Sequence, residues 1–512
     1  MTKRQTPLKV IPLGGLDGIG KNMTVLEYGS NMLLVDAGLM FPDDEQLGID
    51  LVLPDYTYVL ENEDKLRGII ITHGHEDHTG ALPYLLMDLQ NKVPIYSSSL
   101  TLGLIEGKLA EHHIMRPLFH EVHDAERLSI GVFDVEFFAM THSIPAALGV
   151  FVRTPAGNVM HTGDFKLDQT PIDGKTPNYG AINRFASEGV DLLLSDSTNA
   201  TEPGFTPSEA EVGPALRHII KNAPGRVFVA CFASHIHRLQ QVCDASVAVG
   251  RKVVVTGRSM VTNTKVAREL GYLSIADEDI IDAYEVDNIP DERIVVLCTG
   301  SQGEPLSALS RMANGEHKSL SITERDTVII SATPVPGNEK SVTRVINQLS
   351  KIGADVYDKR RAMVHVSGHA ASEELKIVLS LVRPKYFMPV HGEASHLRAH
   401  ARLAEAVGVK SDHIFIMDNG DSLLLKEGKV KRSDPVESGI VYVDGEALEL
   451  LAAEAAAFGS TDRIARALSV MGETSTEMRV APNQRLSLEV AFTRLARPES
   501  DLTLEALADR LA

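Results

Sequence analysis

The sequence predicts an α/β protein in which a second, doubly wound domain is inserted into a sheet-rich first domain. Short strands with turn residues fill the first part of the chain, and near-continuous apolar strands alternate with helices over 209–355. Histidines of the kind that bind metals reappear after the insertion. We therefore predict a first domain in two parts, 1–208 and 356–448, an inserted domain over 209–355, and a short helical C-terminal region over 449–512.

The first domain is predicted from apolar runs bounded by turn residues. The predicted strands are Leu8 to Leu13, Met23 to Tyr28, Met32 to Leu39, Gly68 to Thr72, Phe133 to Met140 and Gly149 to Arg153. Apolar residues at helical spacing predict two helices, Gly80 to Leu89 and Ser99 to His112. Sheets covered by helices are therefore expected here.

The inserted domain is predicted from helices that alternate with strands rich in β-branched residues. The helices are Glu211 to Lys221, Leu239 to Val249 and Lys340 to Lys351, and the strands are Val227 to Cys231, Lys252 to Thr256, Ile294 to Cys298 and Thr327 to Ser331. Strands that are apolar on both faces are typical of a buried parallel sheet. In the C-terminal region, the alanine-rich stretch Leu450 to Phe458 and an apolar helix face from Leu504 to Leu511 predict helices.

Composition and charge restrict the class of protein. Hydrophobic residues make up 44% of the chain and charged residues 23%, which is typical of a compact globular protein. The net charge of −19 argues against indiscriminate binding of nucleic acid, so any nucleic-acid substrate must be held locally. Without a secretory signal or an apolar run of membrane-spanning length, we predict a cytoplasmic protein with no membrane contact. Cys231, Cys243 and Cys298 are expected to be buried core residues.

Three imidazoles and a carboxylate lie within six positions, at His73, His75, Asp77 and His78, directly after an apolar strand. Zinc takes imidazole nitrogen and carboxylate oxygen as ligands. The pattern His-x-His puts two rings on one side of an extended segment, and the following turn can direct Asp77 and His78 to a second ion. We interpret the cluster as part of a two-metal hydrolytic site rather than a solvated run of surface histidines.

The remaining ligands are expected at strand ends, because a two-metal hydrolase needs a carboxylate between its ions. His142 follows the run Phe137 to Thr141, and Asp164 follows a predicted hairpin. Asp36, at the end of a buried strand, either accepts a hydrogen bond from a ligand or loop near the metals or caps its own turn.

The stretch Gly15 to Asn22 matches G-x-x-x-x-G-K, but it has Asn22 where a phosphate-binding loop needs Ser or Thr. The strand Met23 to Tyr28 follows it, whereas a nucleotide site requires a helix there. We therefore predict no nucleotide site in this stretch.

The chain resembles the metallo-β-lactamase superfamily in the order and spacing of its metal-type residues, which are Asp36, His73-x-His75-x-Asp77-His78, His142 and Asp164. The long insertion before the next histidines resembles the β-CASP domain of nucleic-acid-processing members. Three further stretches resemble motifs A, B and C of that domain: Ser195 to Thr198, Ser367 to His369, and Pro389 to Glu393. Over residues 8–445 the chain is most similar to the ribonuclease J family. The resemblance implies a metallo-β-lactamase αββα sandwich with an inserted β-CASP domain.

The resemblance also implies two zinc ions and a role for each ligand. One ion would be held by His73, His75, His142 and Asp164, and the other by Asp77, His78, Asp164 and His391. The implied catalytic residues are Asp77, His369, which would protonate the leaving oxygen, and Asp196, which would orient a histidine near the site. Manganese accepts the same ligands, so the sequence does not decide between the two metals.

Two loops are implied to bind the 5′-monophosphate end of RNA. They comprise Ala233, Ser234 and His235 in the first loop, and His365, Val366, Ser367, Gly368 and His369 in the second. A strand-to-helix turn offers free N–H groups and partial positive charge to a phosphate. The alternative is that these loops only cap helices.

Gly48, Asp50 and Asp444 resemble a structural calcium site of the same family, with carboxylates and a backbone oxygen as ligands. The alternative is that these acidic loop residues are simply solvated. After Gly445 the resemblance ends, because 446–512 is alanine-rich and shorter than the C-terminal α/β domain that the family normally has.

The leading hypothesis is a two-metal ribonuclease that acts on single-stranded RNA from a 5′-monophosphate end, in the 5′-to-3′ direction, in rRNA maturation and mRNA decay. Internal cleavage is left open. We also expect a homodimer or homotetramer and contacts with other RNA-processing proteins. The alternatives are a hydrolase of a thioester, lactone or β-lactam, and a non-catalytic scaffold that binds RNA or protein. The insertion and His369 argue against the first alternative, and the intact ligands argue against the second.

Overall fold

The computed structural model describes residues 6–42, 46, 48–304, 306–335 and 338–444, together with positions 470, 471, 474, 491 and 495. It forms two compact units. One comprises Met1–Glu45 and Val52–Val441, and the other comprises Gln46–Leu51 and Tyr442–Ala512. Within the described part of the chain, no helix is long and apolar enough to cross a membrane.

The strands, in chain order, are β1 (Leu8–Gly14), β2 (Met23–Tyr28), β3 (Asn31–Val35), β4 (Leu51–Pro54), β5 (Leu66–Ile70), β6 (Pro94–Ser97), β7 (Leu118–Glu121), β8 (Arg127–Ile130), β9 (Phe133–Ala139), β10 (Leu148–Thr154), β11 (Gly157–His161), β12 (Leu192–Asp196), β13 (Val227–Ala230), β14 (Lys252–Thr256), β15 (Ile280–Ile281), β16 (Ile294–Cys298), β17 (Thr327–Ile330), β18 (Asp355–Tyr357), β19 (Tyr386–Val390), β20 (Ser422–Lys426), β21 (Lys429–Ser433) and β22 (Ile440–Val443). The helices are α1 (Thr57–Glu61), α2 (Glu76–Thr79), α3 (Leu82–Asp88), α4 (Ser99–Glu111), α5 (Tyr179–Glu188), α6 (Val212–Asn222), α7 (Ile236–Ala248), α8 (Arg258–Glu269), α9 (Ala308–Ala313), α10 (Glu339–Ile352), α11 (Ser372–Val382) and α12 (Ala394–Ala406).

Two mixed sheets face each other in the first domain. The larger has the strand order β21-β20-β1-β2-β3-β5-β6-β7, and the smaller has the order β19-β12-β11-β10-β9-β8. Their facing sides share one core, in which Leu33 and Ile70 of the larger sheet lie with Phe137 and Val150 of the smaller. Helices α5, α11 and α12 cover the outer face of the smaller sheet, where Phe185 is fully buried. Burying such a side chain contributes about 1.5–3 kcal/mol to the free energy of unfolding, so the covering helices stabilise the smaller sheet.

The inserted domain has one sheet of order β15-β14-β16-β13-β17-β18, in which every neighbouring pair is parallel. Residues of α6, α7 and α8 pack on one face, and residues of α9 and α10 pack on the other. Strand β16 is accordingly buried at all five of its residues. The core on the α7 side also contains Leu100 and Ile144 of the first domain, so the two domains pack directly against each other.

The predicted α/β class, with an αββα sandwich and an inserted doubly wound domain, is confirmed. The predicted strands Met23–Tyr28, Lys252–Thr256 and Ile294–Cys298 have the limits of β2, β14 and β16. The prediction of a strand from Met32 to Leu39 is wrong in its second half. Strand β3 ends at Val35, because Asp36 adopts a φ of 63°, in the left-handed region that a strand cannot contain.

The predicted domain limits stay predictions. The limit at 208/209 lies between β12 and α6, and the limit at 355/356 falls within β18. The predicted helical region 449–512 lies outside the described residues except at five positions. The expectation of three buried core cysteines is confirmed.

Candidate metal centre

The carboxyl ends of several strands meet at one edge of the first domain. Asp164 follows β11, Asp196 ends β12 and His391 follows β19. These three strands are parallel neighbours, and Asp196 is in register with Val390, so their carboxyl ends lie side by side. Strand β5 of the facing sheet leads into the loop that carries His73. The edge therefore gathers polar residues that are far apart in the chain.

Backbone hydrogen bonds hold the metal loop, which we define as residues 73–78. Three of them join the loop to neighbouring segments: Ala37 N to His78 O at 2.9 Å, Leu39 N to Glu76 O at 3.1 Å, and Asn22 N to Asp77 O at 3.0 Å. Gly38 lies between the first two, and a Cβ at Gly38 would overlap the Asp77 carbonyl. The loop is thus positioned by main-chain contacts that do not depend on its side chains.

Three imidazoles form the first ligand group. His75 Nδ1 lies 3.0 Å from His73 Nε2 and 3.1 Å from His142 Nε2. Burial lowers the pKa of His73 and His142 well below the ordinary value and lowers the pKa of His75 to about 4, so all three are neutral at neutral pH. His142 Nδ1 donates to the Gly368 carbonyl at 2.7 Å, which leaves Nε2 facing the group. A Cβ at Gly368 would lie 2.7 Å from the His142 ring, so this approach requires glycine.

Two carboxylates and two imidazoles form the second ligand group. His78 Nε2 lies 3.1 Å from Asp164 Oδ2 and 3.5 Å from Asp77 Oδ2. His391 Nε2 lies 3.2 Å from Asp77 Oδ2, and its Nδ1 lies 3.3 Å from Asp164 Oδ1. Burial disfavours the charged forms of these groups, but the attraction between acids and imidazoles outweighs burial. It raises the pKa of His391 to about 10 and lowers the pKa of Asp164. The second group is therefore charged where the first is neutral.

Asp164 lies between the two groups. Its Oδ2 is 3.8 Å from His73 Nε2 and 3.9 Å from His142 Nε2, and it is 3.1 Å from His78 Nε2. Only 2% of the side chain is exposed. A carboxylate in this position can contact two ions at once, as two-metal hydrolysis requires.

Oxygens of Asp36 and Thr198 hold the imidazoles of the second group from behind. Asp36 Oδ2 accepts from His78 Nδ1 at 2.8 Å, and Asp36 Oδ1 accepts from Thr72 N at 2.7 Å. Asp36 therefore does both things that the sequence left open, because it orients a candidate ligand and also fixes the turn. Thr198 Oγ1 lies 2.9 Å from His391 Nδ1 and donates to Asp196 Oδ1 at 2.7 Å. Such contacts fix the ring orientation and the tautomer of a metal-binding histidine.

His369 lies beside the second group and is held by Asp196. Its Nδ1 is 2.8 Å from Asp196 Oδ2 and 3.9 Å from Asp164 Oδ2. Burial opposes the charged imidazole, but Asp196 outweighs burial and raises the pKa of His369. The side chain is 20% exposed, against 2% for His391, so His369 can reach a molecule bound above the ligands.

The donor set fits divalent ions of the zinc type. The ligand atoms of each group lie within 4.8 Å of one another. Neutral imidazole nitrogens whose lone pairs converge repel one another unless a cation or a proton lies between them, and imidazole and carboxylate are ligands that zinc prefers. The structure brings together all the predicted ligands, namely His73, His75, Asp77, His78, His142, Asp164 and His391.

The two predicted phosphate loops lie next to each other. The rings of His235 and His365 are 6.2 Å apart between centroids, and Ala233 and Val366 pack in the same apolar cluster. His235 is the residue before α7, yet its side chain makes no capping hydrogen bond. The alternative that this loop only caps a helix is therefore not supported at His235.

The second phosphate loop ends inside the metal centre. Ser367 Oγ accepts from His369 N at 3.2 Å, and the Gly368 carbonyl accepts from His142. In the first loop, Ser234 is half-buried and its carbonyl accepts from Ile236 N at 2.8 Å. The predicted residues of both loops thus lie together, with one end at the candidate metal ligands.

The residues of the predicted calcium site lie in the second compact unit. Asp50 N donates to the Val443 carbonyl at 2.9 Å, so the segments that carry Asp50 and Asp444 run side by side. Gly48 has a φ of 80° in the turn before Asp50. Calcium at Gly48, Asp50 and Asp444 stays a prediction.

Two buried polar features were not predicted. Asn22 lies in the stretch for which no nucleotide site was predicted, and its Nδ2 donates to Asp77 O at 3.0 Å and lies 3.2 Å from His78 Nε2. The glycine-rich turn before a strand was its only signal. Arg238 and Glu209 form a buried ion pair beside the phosphate loops. No local pattern distinguishes Arg238 from a solvated arginine in the first turn of a helix.

Three family models match the chain. The metallo-beta-lactamase superfamily matches 16–229, the ribonuclease J beta-CASP domain matches 224–349, and the Zn-dependent metallo-hydrolase RNA specificity domain matches 353–417. The metal-dependent hydrolase class and an RNA substrate follow from these matches together with the assembled ligands.

Curated relatives agree with the family models. The chain is 48% identical over 438 residues to ribonuclease J of Mycolicibacterium smegmatis and of Mycobacterium tuberculosis, covering 86% of this chain and 78% of each relative. It is 45% identical over 447 residues to ribonuclease J of Thermus thermophilus, with the same coverage. A crystal structure of a protein of unknown function from Enterococcus faecalis covers 82% of this chain and 100% of its own, with a TM-score of 0.59 at 14% identity, which shows the fold alone.

These matches exclude both alternatives left by the sequence, the small-molecule hydrolase and the non-catalytic scaffold. The chain matches models of the ribonuclease J beta-CASP domain and of an RNA specificity domain. It also shares nearly half of its aligned residues with a curated ribonuclease J. The chain belongs to the ribonuclease J family and is a metal-dependent nuclease that hydrolyses RNA.

Proposed function

We propose that this chain removes nucleotides from 5′-monophosphorylated single-stranded RNA in the 5′-to-3′ direction and also cleaves RNA internally. The observation that carries the proposal is the continuity between the phosphate loops and the metal centre. The segment 365–369 begins beside His235 and ends at His369, which is bound to Asp196. A terminal phosphate held by these loops would place a nearby phosphodiester bond at the ions, which is catalysis by positioning.

We propose that two zinc ions occupy the centre. The proposed ligands are His73, His75, His142 and Asp164 for one ion, and Asp77, His78, Asp164 and His391 for the other. When bound, such ions lower the pKa of water and stabilise the charge that develops at phosphorus. Manganese is the alternative, because it accepts the same nitrogen and oxygen ligands.

Three side chains are proposed to act in the reaction. Asp196 accepts from His369 Nδ1 at 2.8 Å, so Nε2 is the atom that can deliver a proton to the leaving oxygen. Asp77 is 28% exposed, against 2% for Asp164, and can accept a hydrogen bond from the attacking water. Asp196 itself is buried and is proposed to act by orienting His369.

The test uses RNAs of one sequence, labelled at the 3′ end, that carry a 5′ monophosphate, triphosphate or hydroxyl. Cleavage from the end shortens the labelled strand stepwise, whereas internal cleavage yields a fixed fragment. We expect the monophosphate RNA to be shortened fastest. Equal rates on all three ends would overturn the proposed end preference.

The phosphate loops are tested with Ser234→Ala. Removing this hydroxyl should reduce the monophosphate preference roughly tenfold, the effect of one good hydrogen bond to a charged group. Ser246→Ala is the matched control, since Ser246 is buried at the other end of α7 and its hydroxyl donates to the Val242 carbonyl at 2.7 Å. An unchanged preference in Ser234→Ala would remove Ser234 from the pocket.

We further propose a cytoplasmic enzyme, a homodimer or homotetramer, which acts in rRNA maturation and mRNA decay with other RNA-processing proteins. Cell fractionation, light scattering of the purified chain and RNA profiling after its depletion test these points. A structural calcium ion at Gly48, Asp50 and Asp444 is proposed as well. Calcium should raise Tm in the wild type but not in Asp444→Asn.

A further inference from the structure

Arg238, in the first turn of α7, is wholly buried. Its Nε and Nη2 donate to Glu209 Oε1 and Oε2 at 2.8 and 3.1 Å. Its Nη1 donates to the Val364 carbonyl at 2.7 Å and to the hydroxyl of Ser331. The planar guanidinium satisfies a carboxylate with one edge and a carbonyl with another, which the single ammonium of lysine cannot do.

The partners of Arg238 lie on both segments that connect the first domain with the inserted domain. Glu209 is on the outgoing segment, between β12 and α6, and Val364 is on the return segment, between β18 and α11. Ser331 directly follows β17 of the inserted sheet. One side chain therefore joins both connections to the body of the inserted domain.

Both phosphate loops contact this ion pair. His235 Nε2 lies 3.5 Å from Glu209 Oε1, and His365 Nδ1 lies 3.5 Å from Arg238 Nη1. Within the described residues, His235 Nε2 is buried and has no hydrogen-bond partner. Its nearest charged neighbour is the Glu209 carboxylate. The ion pair thus directly contacts one imidazole of each phosphate loop.

The return segment is fixed at its other end by the metal centre. After Val364, which Arg238 holds, the chain reaches Gly368 and His369 within five residues. The Gly368 carbonyl accepts from His142, and His369 contacts Asp196. Segment 364–369 is therefore held at one end by Arg238 and at the other by groups of the candidate metal centre.

We infer that Arg238 is a positioning residue which, through Glu209 and Val364, fixes the distance between the phosphate loops and the metal centre. It thereby determines which phosphodiester bond is cut when a 5′ phosphate occupies the loops. The inference rests on the proposed recognition of the 5′ end. Arg238 is wholly buried, so its effect passes through its neighbours, the backbone of Val364 and the side chains of Glu209 and His365.

A second arginine offers a control for purely structural ion pairing. Arg226 donates from Nε and Nη2 to Asp326 at 3.0 and 2.7 Å and also to the Ser321 carbonyl at 2.8 Å. This pair has the same forked geometry and lies in the same domain. Its partners are on neither connecting segment and in neither phosphate loop.

The test compares Arg238→Lys and Glu209→Gln with Arg226→Lys, each as the full chain loaded with zinc. Single-stranded RNAs of one sequence carry a 5′ monophosphate or a 5′ hydroxyl and a 3′ label. These RNAs report the length of the first product and the ratio of kcat/KM for the monophosphate RNA to kcat/KM for the hydroxyl RNA. A circular RNA of the same sequence reports cleavage that involves no end, and Tm reports stability. Glu209→Gln keeps the size of the side chain and decides the result if Arg238→Lys does not fold.

Both test variants should lower the monophosphate-to-hydroxyl ratio roughly tenfold or more and spread the first cut over neighbouring bonds. The two variants should lose much less activity on circular RNA than on the monophosphate RNA. Arg226→Lys should lower Tm and keep both the ratio and the first product. If the wild type prefers the monophosphate and the test variants retain its ratio and first product, the inference alone is wrong. If the wild type shows no such preference, the proposed function fails and the inference fails with it.

Discussion

The two ligand groups of the metal centre differ in charge and in what supports them. The first consists of three imidazoles that burial keeps neutral, and the Gly368 carbonyl and the Thr72 hydroxyl lie against the outer nitrogens of His142 and His73. The second contains two carboxylates, and oxygens of Asp36 and Thr198 hold its imidazoles. An ion in the first group, with one shared carboxylate, would keep more of its positive charge than an ion in the second group, with two carboxylates.

The difference suggests a division of labour between the two ions. A less neutralised ion polarises a bound oxygen more strongly, while carboxylates retain an ion more firmly. The Asp164 carboxylate lies within 4 Å of imidazole nitrogens of both groups. Variants that remove a shared ligand, a ligand of one group, or a supporting oxygen should therefore have graded effects.

Asp164→Ala should have the largest effect, because it removes the carboxylate between the groups. We expect activity on RNA to fall roughly 10⁴-fold or more and zinc content to fall in both groups, measured by mass spectrometry of the dialysed protein. The control is Asp191→Asn, a buried acid before β12 that bonds Asn158 N and Lys385 instead. Two tightly held ions in Asp164→Ala would show that Asp164 is not shared.

His75→Ala and His391→Ala should separate the two groups. Each should lower activity by roughly 10²- to 10³-fold, since each removes one ligand of one ion. In competition with a chelator, His75→Ala should lose the ion of the first group more readily than His391→Ala loses the ion of the second group. The reason is that the second group keeps two carboxylates after losing its histidine. Equal retention would contradict the assignment of different charge to the two groups.

Asp36→Asn tests the support of the second group. Asparagine has a single, uncharged acceptor oxygen, whereas Asp36 accepts from His78 Nδ1 with one carboxylate oxygen and from the Thr72 N–H with the other. We therefore expect zinc affinity at one site to fall about 10- to 100-fold. Thr72→Val is the comparison variant, because it removes a hydroxyl that donates to Asp36 at 3.0 Å and lies 3.1 Å from His73 Nδ1, and it leaves the contact between Asp36 and His78. Loss of the same ion in both variants would mean that the turn, and not the orientation of His78, is what matters.

The smallest effect concerns His400, which lies behind the second group. His400 Nδ1 is 3.0 Å from Ser197 Oγ, and Ser197 N donates to the His391 carbonyl. Burial lowers the pKa of His400 to about 3 in the folded chain. Below the ordinary pKa of histidine, about 6.5, the unfolded chain binds a proton that the folded chain excludes, so stability is complete above that pH and falls below it.

The wild type should therefore lose up to about 1.4 kcal/mol per pH unit more than His400→Gln as the pH falls from about 6.5 towards 4. Urea unfolding of the two proteins at several pH values measures this difference. Parallel pH profiles would show that His400 does not remain neutral in the folded state.

Local patterns made the metal loop predictable. His73, His75, Asp77 and His78 are close in sequence, and a strand followed by a turn has few ways to arrange them. His142 and Asp164 also follow strands whose apolar runs are visible in the sequence. The resemblance to a family supplied His391 and His369, whose positions depend on strand pairing between distant segments.

The supporting residues could not be predicted in the same way. Asn22 and Arg238 are polar residues of common types, and only tertiary packing shows that they are buried. Asp36 could be placed at a strand end, but its two contacts come from segments about forty residues away. Its left-handed backbone also ended β3 earlier than the apolar pattern predicted.

The main-chain contacts between residues 37–39 and the metal loop have a consequence for how the enzyme matures. Backbone hydrogen bonds form when the chain folds, so ions would enter an arranged loop instead of organising a loose one. Protein made during zinc shortage should then accumulate as a folded precursor. Its activation on resupply would follow the rate of ion uptake and require no new synthesis. Metal availability would thereby control nuclease activity through molecules that the cell already holds.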